Sequence, residues 1–314
     1  MYFLNYAKTD LNVVQFLYEL MEISNDSKLG SSITTFIAKT SLDFYSRSEQ
    51  LNNINQMYSD GLNYFYGHLV TQNYEKAFTL FNEGDSHNHV DSILKLGSYY
   101  YLGLGIQKNR AKAAEYFKKS AELGNLFGML NLGYCFLYGK GLDKNINEAL
   151  LRFKKAADLG YSQAFYGLFL CYYEGLGDEK NVPEALQHLQ VAIDMGNAEA
   201  LNEMGCLLWN GDDVEQNYHE AFNYFKLAAE GGSSTGMTHL GEEHESGVFV
   251  PKNTQKALEL FLQSANLNNN TGIDRLITFY KGSSVPEQVS YWEQKKVELD
   301  DCLPTDDLKR MGLF

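Results

Sequence analysis

Proline is nearly absent from this chain: four residues in 314, with no Pro/Gly/Ser-rich stretch. That scarcity excludes an extended linker and favours one continuous body over domains on a hinge. Cysteine is equally scarce. Cys135, Cys171, Cys206 and Cys302 show neither CxxC spacing nor a disulfide framework, and they read as small apolar side chains on helices. Basic residues are in deficit, 26 against 40 acidic, for a net charge of −14. Phosphate neutralisation needs clustered Lys and Arg, so nucleic acid and anionic lipid are excluded as nonspecific partners. No run approaches the roughly 18 apolar residues of a membrane-spanning helix, which excludes direct membrane insertion. The opening MYFLNYAKTD lacks the basic and apolar regions and the cleavage site of a signal peptide. The sequons at Asn25 and Asn269 are therefore read as chance matches in an Asn-rich chain. The expected location is cytoplasmic, with secretion by a route that needs no signal peptide left open.

What the chain has instead is a period. The segment LGSYYYLGLGIQKNRAKAAEYFKKSAELGN at Leu96 returns 36 residues later as LGYCFLYGKGLDKNINEALLRFKKAADLGY at Leu132. The frame continues at Leu168, Met204 and Leu240, and backwards at Asp60. Periodicity of this length means stacked helical hairpins, an all-α solenoid of about six helix-turn-helix units. The expected organisation has three parts. Residues 1–55 form divergent N-terminal capping helices, and 56–271 hold six repeats (56–91, 92–127, 128–163, 164–199, 200–235 and 236–271). Residues 272–314 form a degenerate repeat, a C-terminal cap and an acidic tail with Asp300, Asp301, Asp306 and Asp307.

Each column of the repeat has a physical role. Apolar residues at i, i+3 and i+7, such as Met129, Leu132 and Phe136, share one face of the first helix. Between them fall Gly61, Gly97, Gly133, Gly205 and Gly241, with Phe169 the exception. A glycine inside a helix costs about 1 kcal/mol relative to alanine, so its recurrence implies a neighbouring helix in close approach. Gly67, Gly103, Gly139, Gly175, Gly211 and Gly247 end the first helix. Three of them belong to Gly-x-Gly, but no strand precedes and no phosphate-loop ending follows, so a nucleotide site is excluded. Asn73, Asn109, Asn145, Asn181, Asn217 and Asn253 are N-caps of the second helix. Glu148, Glu184 and Glu220, three residues on, complete a capping-box pattern. Phe81, Phe117, Phe153, Leu189, Phe225 and Phe261 fill the space between hairpins. Gly124, Gly160, Gly196 and Gly232 end the second helix, and Asn88 and Asn268 replace them at the outer units. Asparagine is the other residue that tolerates a left-handed backbone.

The pattern A-x-x-x-L-G-x-x-Y-x-x-G-x-G, an N-cap, then A-x-x-x-[FWY]-x-x-A-A-x-x-G resembles the Sel-1-like repeat, a relative of the tetratricopeptide repeat. Six units match in register over about residues 56–270, and more weakly to 299. Asn replaces the Asp common at the family's N-cap, which keeps the cap and removes its charge. The resemblance implies a right-handed α-superhelix acting as a non-enzymatic scaffold or adaptor. A host-directed effector or surface protein of bacterial type is the alternative. A cysteine-rich branch linked to penicillin binding is a third, weakened here because the cysteines do not pair.

No enzyme, cofactor or metal is expected. A hydrolase needs a positioned nucleophile, base and orienting group, and the seven histidines form no such set. His239-Leu-Gly-Glu-Glu-His244 resembles a zinc helix, but five residues put the two rings about 140° apart. The informative surface is the face of the first helices that the resemblance places on the concave side. The expected partner-binding residues there are Tyr66, Tyr101, Leu102, Tyr134, Tyr138, Leu170, Tyr173, Glu174, Glu203, Trp209, Glu242 and Glu245. They run from aromatic and aliphatic to acidic, which suits a protein or peptide with apolar anchors and a basic end. Packing against a neighbouring first helix is the competing role for these side chains. No feature of the sequence points to an oligomeric state.

Overall fold

The computed structural model describes residues 49–175 and 180–299. Every regular element among them is a helix. A first helix, α1, covers 49–66 and passes across the expected boundary at 55/56 without a break. It is followed by α2 Tyr74–Ser86, α3 Val90–Leu102, α4 Arg110–Glu122, α5 Leu126–Tyr138, α6 Ile146–Ala157 and α7 Ser162–Glu174. Then come α8 Val182–Asp194, α9 Ala198–Asn210, α10 Tyr218–Glu230, α11 Ser234–Ser246, α12 Thr254–Asn266, α13 Asn270–Gly282 and α14 Pro286–Leu299. The expected terminal helices before residue 49, the tail carboxylates from Asp300 onward, Cys302 and Gly177 lie outside the described residues.

The ends of the helices follow from their caps. Each of the six repeated asparagines takes the N-cap position, and its side chain accepts the backbone N–H three residues on, as Asn109 does from Lys112 at 3.0 Å. The capping box is corrected. The backbone N–H that a glutamate would take is already donated to the preceding helix: Asn145 to Phe136 O at 2.8 Å, Asn181 to Tyr172 O and Asn217 to Leu208 O at 2.9 Å. Glu184 and Glu220 instead accept from the cap's own Nδ2, at 2.9 and 3.1 Å, and Glu148 accepts from Arg152 at 3.0 Å. A second set of caps opens the first helices. His89, Asn125, Asn197, Ser233 and Asn269 each accept from the N–H three residues on. Asn88 and Asn268 have φ of 56° and 58°, the left-handed conformation expected of residues replacing glycine.

Packing explains the glycine column. A Cβ on Gly97, Gly133, Gly205 or Gly241 would stand 2.5–2.7 Å from the Phe117, Phe153, Phe225 or Phe261 ring. The first helix therefore lies directly on the phenylalanine of its own hairpin. Phe153 also meets Gly167 of the next hairpin, where a Cβ would be 2.6 Å away. The fourth repeat swaps the two sizes: Phe169 replaces the glycine, Leu189 replaces the phenylalanine, and both are fully buried in one cluster. First helices of successive repeats also touch, α5 with α7, α9 with α11 and α11 with α13, while second helices do so to no comparable extent. The first helices are thus the inner layer. Trp292 of α14 closes the far end over Ile273, Leu276 and Ile277.

Candidate binding face

The inner layer is packed more tightly than its sequence suggested. Tyr101 and Tyr134 are buried, only 5% and 7% exposed. This corrects the expectation that they face a partner. Tyr101 lies 6.2 Å from the Phe117 ring, and Tyr134 stands edge-on to Phe153 at 5.0 Å. Their faces are used up by the phenylalanine on the second helix of the same hairpin. Tyr138, one turn after Tyr134 and stacked parallel to it at 6.2 Å, is 45% exposed. Tyr66, Leu102, Leu170, Tyr173, Glu203, Trp209, Glu242 and Glu245 are half-buried. The side chain of Glu174 lies outside the described residues.

Local contacts hold several of these side chains. Tyr66 stacks on His68 at 5.5 Å and accepts from the Lys95 ammonium at 3.5 Å. Lys95 is buried, and desolvation, partly offset by Asp91, pulls its pKa down to about 8. Tyr173 carries the Lys180 ammonium 3.6 Å above its ring, and its hydroxyl donates to Asp213 at 2.9 Å. Lys180 also pairs with Asp213, which holds that carboxyl below its usual range, and Tyr173 adds to the effect. The Tyr166 hydroxyl donates to Glu203 at 3.4 Å. Glu242 pairs with Arg275 of the following first helix.

Trp209, Glu242 and Glu245 come together in a cavity of about 610 Å³. Six further lining residues were not anticipated: Tyr218, Glu243, Ser246, Val248, Phe249 and Arg275. One of them left a trace in the sequence. Cys135 and Cys171 occupy one column, and following it through Leu207 leads to Glu243. Burial, then the charge of Glu242, raises the Glu243 carboxyl above its ordinary value of 4.5.

One side-chain set resembles a nucleophile, a base and an orienting group. Asn202 Oδ1 lies 3.0 Å from His239 Nδ1, and Cys206 Sγ lies 4.0 Å from the same nitrogen. A working base needs one ring nitrogen for the nucleophile and the other for the orienting group. Burial, with Glu203, Glu242 and Glu199, also pushes the Cys206 thiol up to about 12. The cluster is therefore a packing contact with a protonated thiol. Among the described residues no group of three His, Cys, Asp or Glu is placed to hold a metal ion, and no helix is long and apolar enough to cross a membrane.

A stack of capped helix pairs with the first helices on the inner side defines an α-solenoid repeat protein, a class that offers an extended surface instead of a single deep site. The chain belongs to the Sel1 repeat family, whose sequence model matches residues 57–84, 90–125, 126–161, 160–197, 198–233 and 234–269. Proteins of this family generally mediate protein–protein interaction, and the fold is typically a non-enzymatic scaffold. No curated protein sequence matches the chain. Among solved structures it is similar to a Sel1 repeat protein from Oxalobacter formigenes, with a TM-score of 0.58 and 24% identity over 79% of this chain and 98% of the other. An immunity protein from Pseudomonas aeruginosa has a TM-score of 0.54 and 19% identity, over 70% of this chain and 86% of that one. At these identities the likeness shows the fold alone. A protective antigen present in uropathogenic Escherichia coli strains is 26% identical with a TM-score of 0.51, over 82% of this chain. The chain spans 56% of that protein's length.

Proposed function

We propose that this protein is a non-enzymatic scaffold that binds a protein or peptide along its inner, first-helix face. The observation that supports this most directly is a register. Tyr66, Leu102 and Tyr138 end successive first helices at the same repeat position, and each keeps accessible surface. Tyrosine and leucine side chains held at regular intervals on a stiff layer suit an elongated partner with spaced apolar anchors. Further along the stack the same face becomes acidic through Glu203, Glu242 and Glu245, which suits a partner whose other end is basic. The net charge of −14 favours such a partner kinetically as well.

Affinity capture with wild type and Tyr138→Ala side by side tests this reading. The variant should lose the captured species while its melting temperature stays within about 1–2 °C, because an exposed side chain contributes within about ±0.5 kcal/mol. Identical capture profiles would remove Tyr138 from the binding face. Similarity to the Escherichia coli antigen favours a second reading, a host-directed or surface-exposed protein. Accessibility of the protein to antibody on intact cells would separate that route from a cytoplasmic one.

A further inference from the structure

One column of the first helices faces the core in four successive repeats. Tyr99, Cys135, Cys171 and Leu207 occupy it, none more than 3% exposed. In α11 the same position is Glu243, which is itself 95% buried, at 5% exposure. Its Oε2 has no hydrogen-bond partner among the described residues. A buried acceptor left in that state is destabilising, the more so when charged. The position is therefore hard to explain as packing, since four neighbouring repeats solve it with neutral residues.

The surroundings say what Glu243 lacks. It lines the cavity shared with Trp209, Tyr218, Phe249, Glu245 and Arg275. Trp209, Tyr218 and Phe249 pack on one another with ring centroids 4.9, 5.4 and 5.5 Å apart, forming one aromatic wall. The opposing helix supplies Glu242, Glu243 and Glu245. Arg275 is engaged by Glu242, and Glu245 enters no ion pair among the described residues. An aromatic wall facing two uncompensated carboxylates attracts a cation through the ring quadrupole and through charge. Hard metal ions prefer six or more oxygen ligands without rings, and an anion would be repelled. A planar guanidinium can lie on an aromatic face while its N–H fork meets carboxylates.

We propose that this cavity is an arginine-binding pocket, receiving the guanidinium of a bound polypeptide between the Trp209–Tyr218–Phe249 wall and the Glu243 and Glu245 carboxylates. The proposal rests on the protein-binding reading above and names the chemistry of the partner at one end of the face.

Fluorine NMR of the full chain labelled with fluorotryptophan tests it. The chain has two tryptophans, so Trp209 reports the cavity and Trp292, buried in α14, is an internal control. The probe is the peptide N-acetyl-Gly-Arg-Gly-amide, titrated beside its neutral citrulline analogue. A saturable shift of Trp209 alone is expected with the arginine peptide, at least tenfold weaker with citrulline. Glu243→Gln should weaken the arginine response about tenfold with unchanged helix content. No saturable shift, or equal responses to the two peptides, would overturn the proposal, and that comparison uses only wild type. Failure here with Tyr138-dependent capture intact would remove the pocket and leave the scaffold reading standing. A Trp209 response without such capture would support the pocket and count against the wider face.

Discussion

Helices α3 and α11 have the same length, the same kind of cap at each end and the same place in their repeats, yet they are packed by different chemistry. α3 buries Ile93, Leu94, Leu96, Tyr99 and Tyr101, with Ser92, Lys95 and Ser98 among them. Tyr99 is surrounded by Phe65, Phe78 and Phe81 at centroid distances of 5.4–5.9 Å. α11 buries Ser234, Thr238 and Glu243 beside Leu240. It is tied to its neighbours by a polar network: Thr238 Oγ1 to Ser264 Oγ at 2.7 Å, Ser264 Oγ to Ser234 O at 2.8 Å, and Asn269 Nδ2 to Ser234 Oγ at 2.9 Å. Both ends of each helix are nonetheless fixed alike, by a side-chain cap on the third N–H and a left-handed glycine at Gly103 or Gly247. The backbone is therefore set by caps and glycines, and the filling of the space between helices is free to change. That freedom is what allows one end of the inner face to be aromatic and the other acidic.

The comparison breaks most severely where packing alone carries the load. Phe153→Ala should cost about 3–5 kcal/mol in chemical denaturation, because the ring fills space against two first helices at once. The equivalent truncation in the swapped repeat, Leu189→Ala, should cost less, about 2–3 kcal/mol, because fully buried Phe169 still occupies the opposing position. Equal losses would show that the exchange of sizes in that repeat does not compensate.

Glu243 sharpens the comparison from the other side. Glu243→Leu restores the neutral column and should raise stability by about 1 kcal/mol at neutral pH, since an unpartnered buried acceptor is removed. Its titration has a defined sign. The folded-state pKa lies above 4.5, raised by burial and then by Glu242. The native state therefore takes up this proton before the unfolded chain does. Relative to Glu243→Gln, wild type should gain stability as pH falls toward about 4.5 and lose it as pH rises through the native value. Paired melts across that window measure it, and a pH-independent difference would show that the carboxyl is solvated.

The repeat made much of this architecture legible from residues alone. Glycine against phenylalanine, asparagine at the caps, and Asn88 and Asn268 in the left-handed region all follow from local rules repeated in register. Three things do not. The capping box fails because its backbone N–H is claimed by a carbonyl nine residues earlier, as with Asn145 and Phe136 O at 2.8 Å. Tyr101 and Tyr134 are buried against Phe117 and Phe153 of the second helix in their own hairpins, which a single-helix wheel cannot contain. The cavity draws Trp209, Tyr218, Glu243 and Arg275 from α9, α10, α11 and α13, and no spacing rule joins them.

The smallest expected effect tests whether the two ends share one framework. Asn109 and Asn253 cap α4 and α12 with matching geometry, accepting from Lys112 and Lys256 at 3.0 and 2.9 Å. Their backbone N–H groups reach Tyr100 O and His244 O, both at 2.8 Å. The first carbonyl belongs to the aromatic end and the second to the acidic end. Alanine removes only the side-chain acceptor, so each substitution should cost about 1 kcal/mol. If caps fix the backbone independently of filling, the two losses in denaturation midpoint should agree within error. A much smaller loss at Asn253 would mean that the polar end frays before its caps are tested, and that packing and framework are coupled there.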